Sequence, residues 1–197
     1  MNKKKNLIAE DTFVLALQNH KKNNFQDAKK FYIETLKLNP NYSSAHNNLG
    51  ILFNQLEEYQ KAISCFEKVI QIDPNDSVAY SNLGNIMKNL GKHQKAISYF
   101  EKAIQINPNY ADAYYNLGNT LNELGKYQKA ISYFEKVIQI NPNYTEAFNN
   151  LGIILNELGE YQKAISYFEK VIQINPNYTD AFNNLGNIQK KLGEHQK

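Results

Sequence analysis

Asparagine residues recur in this sequence at a spacing that would place their amide groups in a row. Each of five asparagines comes directly before a Leu-Gly pair, and successive members are 34 residues apart. A carboxamide carries both donors and an acceptor, so it can pair with the N–H and C=O groups of a peptide backbone. The row is therefore a candidate site for an extended peptide. Its members are Asn48, Asn82, Asn116, Asn150 and Asn184.

More asparagines lie three and six residues beyond members of this row. Each hydrogen bond from an amide nets about 0.5–1.5 kcal/mol, so several amides are needed for useful affinity. The alternative interpretation is that asparagine is a polar filler, since the chain is rich in it throughout. The additional candidates are Asn54, Asn85, Asn119, Asn122, Asn156 and Asn187.

No group of residues has the spacing of a catalytic or metal-binding motif. His46 occupies the repeat position that holds Tyr80 and Tyr114, and Cys65 occupies that of Tyr99. Such replacements indicate packing residues, which favours structural roles over metal binding or catalysis. With one cysteine, no internal disulfide can form. The sequence therefore predicts a protein that is not an enzyme and has no cofactor.

The charge of the chain bears on the class of partner. The 197 residues carry a net charge of +3, with acidic and basic residues interleaved and no arginine. This is unlike a nucleic-acid-binding protein, which concentrates positive charge on one surface. The apolar run near the N-terminus is too short for a signal peptide, and no stretch approaches a membrane span. We expect a cytoplasmic protein that binds neither nucleic acid nor membranes.

The elements that position the asparagines are helical hairpins. Residues 111–124 place apolar or small residues at spacings of three and four, which is one helical face. The pattern is interrupted at Gly125 and resumes over residues 127–140. Pro142 then stops the second helix. Prolines recur every 34 residues, at Pro40, Pro74, Pro108, Pro142 and Pro176. A hairpin of this length cannot bury its apolar face alone, so neighbouring hairpins must stack.

The residue pattern of each hairpin resembles the tetratricopeptide repeat. The match includes Leu117-Gly118, Ala130, Phe134 and Pro142, together with their equivalents in the other hairpins. The resemblance implies an all-α fold, a right-handed superhelical solenoid of antiparallel helical hairpins. We expect a lead-in at residues 1–8, five repeats and a partial sixth repeat that contains a first helix. The repeats are 9–42, 43–76, 77–110, 111–144 and 145–178, and the partial repeat is 179–197.

In the resembling family, the first helices line a concave groove and the second helices form the outside. The resemblance therefore implies that the asparagine before Leu-Gly faces the groove. The array is most similar to the superhelix of O-linked N-acetylglucosamine transferases, in which this position forms an asparagine ladder. Repeats 111–144 and 145–178 differ at seven positions, all in the first helix or the hairpin link. This distribution favours a binding groove over a spacer.

Charged residues at the groove positions further restrict the partner. Asp112, Glu146 and Asp180 share one position, so the C-terminal half is expected to favour neutral or basic extended segments. Lys88, Lys190 and Lys191 oppose them. The family members that hold chaperone tails with a carboxylate clamp need lysine and arginine at groove positions. Neither lysine nor arginine occupies the position of Asp112, Glu146 and Asp180 in this chain, which argues against a role in binding chaperone tails.

Three hypotheses follow for the function. The leading one is a scaffold that binds an extended segment of a protein or peptide partner through the asparagine ladder. The second is that the chain is the substrate-recruiting portion of a larger transferase, for example a glycosyltransferase, whose catalytic domain is absent from this chain. It rests on the sequence stopping just inside a second helix, as in a fragment of a longer protein. The third is weak self-association through the C-terminal end.

Overall fold

All regular elements between residues 2 and 194, the part of the chain that the computed structural model describes, are α-helices. The chain divides into an N-terminal unit, Met1–Asn107, and a C-terminal unit, Pro108–Lys197. The N-terminal unit contains α1 (Asn2–Lys21), α2 (Phe25–Leu38), α3 (Ser43–Gln55), α4 (Tyr59–Ile72), α5 (Ser77–Asn89) and α6 (His93–Ile106). The C-terminal unit contains α7 (Ala111–Glu123), α8 (Tyr127–Ile140), α9 (Thr145–Glu157), α10 (Tyr161–Ile174) and α11 (Thr179–Glu194).

Within each unit, helices pack mainly on their neighbours in sequence. An odd-numbered helix pairs with the even-numbered helix that follows it, and each hairpin then stacks on the next. This arrangement confirms the predicted all-α solenoid of helical hairpins in both units. We call the odd-numbered members the first helices and the even-numbered members the second helices.

The core of each hairpin forms where small residues let two helices approach. Ala28, Ala62, Ala96, Ala130 and Ala164 are fully buried. One turn later on the same second helices come the largest buried side chains, which are Tyr32, Phe66, Phe100, Phe134 and Phe168. Burying one such ring stabilises the fold by about 1.5–3 kcal/mol relative to leaving it exposed. The alternation of small and large residues therefore explains both recurring positions.

The link inside each hairpin requires a left-handed backbone. Gly125 has a φ of 68°, and Lys126 N–H donates to the Leu121 carbonyl oxygen at 2.9 Å, which closes the end of α7. Glycine adopts this conformation without steric cost. The first two hairpins use other residues there, namely Asn23 at 60° and Glu57 at 58°. The link geometry is thus retained even where the glycine is not.

The joints between hairpins are short turns that contain the periodic prolines. Asn141 follows α8 in an extended conformation, which is the backbone preference of a residue before proline. Its side-chain oxygen accepts a hydrogen bond from Asn143 N–H at 3.1 Å. Asp73 forms the same turn, since its carboxylate accepts from Asn75 N–H at 2.9 Å. Proline and a local side-chain bond therefore define each joint.

The predicted lead-in belongs to the first helix, because α1 already begins at Asn2. Residues 195–197 of the predicted partial repeat 179–197, with His195 among them, lie outside the described residues. The remaining described residues of that repeat form α11. The repeat boundaries themselves stay a prediction.

Candidate peptide-binding site

The predicted asparagine row lies on the first helices, one member on each of α3, α5, α7, α9 and α11. All five side chains are half-buried. Each precedes by two residues the glycine of its helix, so the same helical geometry positions every member. The further candidates Asn85, Asn119, Asn122 and Asn156 lie on the same helices and are also half-buried. Asn85 and Asn119 follow members of the row by three residues and so share its helical face, and Asn122 follows Asn119 by three residues. Asn156 follows Asn150 by six residues, which places it about 120° away around α9.

Two members of the row reach back to the preceding hairpin. Asn150 Nδ2 donates to Asn119 Oδ1 at 2.8 Å and to the Tyr115 hydroxyl at 3.4 Å. In the N-terminal unit, Asn82 Nδ2 donates to Asn47 Oδ1 at 3.4 Å. The structure therefore joins one predicted pair, Asn119 and Asn150, and shows that the row also links hairpins.

The side chains of other members make different hydrogen bonds, because the preceding hairpin offers them different partners. Asn48 Nδ2 donates to the Ser44 carbonyl oxygen of its own helix at 2.8 Å. The hairpin before it offers Phe13 and Leu17 at the positions of Tyr115 and Asn119, and neither carries a polar acceptor. Within the described part of the C-terminal unit, the Asn116 amide makes no hydrogen bond. The row is thus one position with several local bonding patterns.

Several amide oxygens on the first helices are buried without a donor. They belong to Asn54, Asn122 and Asn156, which are equivalent in three hairpins, and to Asn149. A buried polar atom without a partner loses about 1–3 kcal/mol of hydration, so native structures hold few of them. Asn54, Asn122 and Asn156 were among the predicted candidates, whereas Asn149 was missed. Its signal was its place at the position of Tyr115, which differs between otherwise similar repeats.

A carboxylate and tyrosines meet beside the row in the C-terminal unit. The Tyr144 hydroxyl donates to Asp112 Oδ1 at 2.9 Å, and the Tyr144 ring lies on Tyr115, with 5.1 Å between ring centroids. Burial, reinforced by the hydrogen bond that the hydroxyl donates to Asp112, raises the pKa of Tyr144. The hydroxyl therefore stays protonated and keeps donating at any ordinary pH.

Two histidines, His46 and His20, and the single cysteine, Cys65, have structural contacts. His46 Nε2 is 2.9 Å from the Pro40 carbonyl oxygen, and burial lowers the pKa of this imidazole. His20 is hydrogen-bonded to the Tyr32 hydroxyl at 3.0 Å and to Gln55 Oε1 at 2.9 Å. Burial raises the pKa of the Cys65 thiol to about 11. A thiol with that pKa is protonated at neutral pH and is a poor nucleophile.

A surface cavity of about 560 Å³ lies between Tyr80 and Tyr99. Five of its six lining residues belong to the second helix α6, and none is a predicted site residue. The cavity is therefore separate from the amide row of the first helices. Among residues 2–194, no three metal-ligating side chains come together. None of the described helices combines the length and apolar character needed to cross a bilayer.

Comparisons with known proteins agree with this geometry. A sequence model of the tetratricopeptide repeat family matches residues 76–143 and 109–177, and two further models of that repeat match 43–76 and 167–197. A comparison with curated proteins gave no match.

Solved structures share the fold over most of the chain. MamA is 29% identical, with a TM-score of 0.73 over 84% of this chain and 97% of its own. YrrB, described as a TPR protein with an unusual peptide-binding site, is 25% identical, with a TM-score of 0.67 over 87% of this chain and 89% of its own. PilF of Pseudomonas aeruginosa, at 20% identity, shows the fold alone, with a TM-score of 0.85 over 98% of this chain and 87% of its own.

The family models cover more than half of the sequence, and the residues that they match form stacked hairpins with the glycine, alanine and phenylalanine positions described above. The chain therefore belongs to the tetratricopeptide repeat family, whose fold is that of protein-interaction scaffolds.

Proposed function

We propose that this protein is a scaffold that binds an extended peptide segment along the amide-bearing face of its first helices. The observation that carries the proposal is the row of half-buried amides in the C-terminal unit, where Asn122 and Asn156 hold oxygens without donors. A peptide N–H supplies such a donor once the amide rotates toward it. The row repeats with the hairpin, so it suits a ligand that is itself periodic, such as an extended backbone.

Amides recognise the backbone more than the side chains, and this determines the specificity that we expect. Each amide pairs with N–H or C=O groups that every residue carries. Peptides of different sequence should therefore bind with similar affinity when they are extended. The similarity to YrrB, which has a peptide-binding site, supports a peptide as the ligand.

The test is the binding of fluorescein-labelled ten-residue peptides, selected from a random library on the wild-type protein. The variant Asn116→Ala/Asn122→Ala removes two amides of the C-terminal unit. Because each lost bond costs about 0.5–1.5 kcal/mol, we expect a loss of affinity of roughly tenfold. The matched control is Asn143→Ala/Asn177→Ala, which removes two exposed amides from the joints. If the wild type and Asn116→Ala/Asn122→Ala bind the peptides with equal affinity, these amides do not form the peptide-binding site.

A second proposal is that the chain recruits substrates for a transferase, for example a glycosyltransferase. The similarity to O-linked N-acetylglucosamine transferases stays a prediction. A face that binds backbone groups with little sequence preference suits an enzyme with many protein substrates, which is what favours this proposal. Sequencing the gene on both sides of the present chain is the test. A catalytic domain in the same reading frame would support it, and stop codons on both sides would refute it.

Self-association through α11 also stays a prediction. Phe182 on this helix is 50% exposed, whereas Phe148, its equivalent one hairpin earlier, packs against Tyr167 with ring centroids 6.2 Å apart. Light scattering over a series of protein concentrations tests it, with Phe182→Ser as the variant. A molar mass independent of concentration would refute it.

A further inference from the structure

Carboxylates surround a tyrosine at one end of the C-terminal first-helix face. Glu146 and Tyr178 occupy the positions that Asp112 and Tyr144 hold one repeat earlier. Burial raises the pKa of the Tyr178 hydroxyl, and the charges of Glu146 and Asp180 raise it further. The two carboxylates are exposed on their helices. The hydrogen bond between the equivalent residues Tyr144 and Asp112 one repeat earlier places Glu146 beside Tyr178, and Asp180 follows Tyr178 by two residues. This end of the face is therefore negatively charged.

A buried amide beside this cluster lacks a donor. Asn149 is 8% exposed, and its Oδ1 is buried without a partner. It follows Glu146 by three residues, so the two side chains share one face of α9. Asn149 replaces the tyrosine that lies on Tyr144 one repeat earlier, which directs it toward Tyr178. At this position an amide oxygen, which accepts hydrogen bonds, therefore replaces the aromatic ring of Tyr115.

The groups at this end of the face are complementary to a cation. They comprise two carboxylates, an amide oxygen and the face of an aromatic ring, all of which attract positive charge. The lysines of α11 lie elsewhere. Lys191 lies over the Tyr161 ring at 5.8 Å, and Lys190 is ten residues from Asp180, or about 15 Å along the helix. In the N-terminal unit this position holds Glu10, Ser44 and Val78, so carboxylates in successive repeats occur in the C-terminal unit.

We propose that the C-terminal unit contains a subsite for a lysine or arginine side chain of the bound peptide. Glu146 and Asp180 pair with its charged end, Asn149 Oδ1 accepts one of its hydrogens, and the Tyr178 ring packs against it. Charge-assisted hydrogen bonds of this kind are about twice as strong as neutral ones. The subsite rests on the proposed peptide binding, to which it adds a preference for basic segments.

The test uses three fluorescein-labelled decapeptides, in which alanine alternates with lysine, glutamine or glutamate. Fluorescence anisotropy at physiological salt measures their dissociation constants. For the lysine peptide we expect an affinity about tenfold higher than for the glutamine peptide, as one or two charge-assisted bonds provide. The variant Glu146→Gln/Asp180→Asn should abolish this preference while the glutamine peptide binds as before. Asn149→Ala should weaken only the lysine peptide.

The matched control is Glu135→Gln/Glu169→Gln, which removes the same charge from exposed positions of the second helices. It should keep the preference for lysine, and circular dichroism should show all variants folded. Equal affinities for the lysine and glutamine peptides would overturn the subsite and leave the peptide-binding proposal standing. If Glu146→Gln/Asp180→Asn and Glu135→Gln/Glu169→Gln lose equal affinity for the lysine peptide, the subsite is also overturned. Net charge alone would then explain the preference. Failure of all three peptides to bind would overturn both proposals.

Discussion

Gly118 and Phe134 are so close that a methyl group at the glycine would lie 2.8 Å from Cε1 of the ring. The ring is fully buried, so it has little freedom to move away. The same approach recurs between Gly50 and Phe66, Gly84 and Phe100, and Gly152 and Phe168. The glycine position is thus required by the ring of the paired helix and not by the backbone conformation.

Replacing Gly118 by alanine should therefore destabilise the protein despite the better helix propensity of alanine. Overpacking in a core costs about 1–3 kcal/mol, and the propensity gain returns about 1 kcal/mol. We expect a net loss of about 1 kcal/mol in the free energy of unfolding, measured in urea. Gly186→Ala is the matched control, since an added methyl group there meets nothing within 4 Å. It should stabilise the protein, and equal effects of the two substitutions would contradict the packing argument.

Replacing Glu57 by glycine should stabilise the first part of the array. Glu57 has a φ of 58° at the link position where Gly91, Gly125 and Gly159 have φ between 68° and 77°. A left-handed conformation costs a residue with a Cβ about 1–2 kcal/mol, part of which the greater freedom of glycine in the unfolded chain cancels. We expect a gain of about 0.5–1 kcal/mol in thermal or urea unfolding. Gly125→Ala should lose a similar amount, and a gain there would show that the link tolerates a side chain.

Alkaline pH should destabilise the wild-type protein more than the Tyr32→Phe variant. Burial raises the pKa of Tyr32 to about 12, above the value of 10.0 for an unperturbed tyrosine. Stability from the neutral, buried phenol is therefore fully present below pH 10 and is lost as the pH rises from 10 to 12. Phenylalanine occupies the same position in the next four repeats and does not titrate.

The comparison of urea midpoints at pH 7 and pH 11 measures this difference. At pH 7 the wild type should be more stable by about 1 kcal/mol, because Tyr32 is hydrogen-bonded to His20. At pH 11 that advantage should shrink or reverse. Parallel losses in both proteins would show that other tyrosines or the lysines cause the alkaline effect.

Substitutions of Asn150 and Asn116 should separate two roles of the asparagine row. One role is bonding between hairpins and the other is the proposed binding of peptides. Asn150→Ala removes the bond to Asn119 between hairpins, so we expect a loss of about 0.5–1.5 kcal/mol of stability together with weaker peptide binding. Asn116→Ala should leave stability unchanged and weaken only the binding of peptides. Urea unfolding and fluorescence anisotropy on the same samples measure both properties. A stability loss of equal size in the two variants would contradict this division.

The sequence was sufficient to predict the helical hairpins, because the 34-residue period, the small residues and the prolines all indicate the same repeated unit. It was less informative at positions whose role depends on a neighbour. The left-handed links at Asn23 and Glu57 carry no glycine, so only their register with Gly91 reveals them. The partner of each amide is likewise decided by the preceding hairpin, which offers Asn119 to Asn150 but only apolar side chains to Asn48. A repeat pattern treats these positions as equivalent, whereas their bonding differs.

The second helices α8 and α10 have the same sequence, and each packs only on helices close to it in the chain. Recombination between their coding segments, at any point along them, would therefore rebuild the same helix while removing or adding 34 residues. The rebuilt helix would pack as α8 and α10 already do, and the first helices on either side would meet at equivalent repeat positions. The length of the first-helix face can in this way change by whole hairpins in a single genetic step.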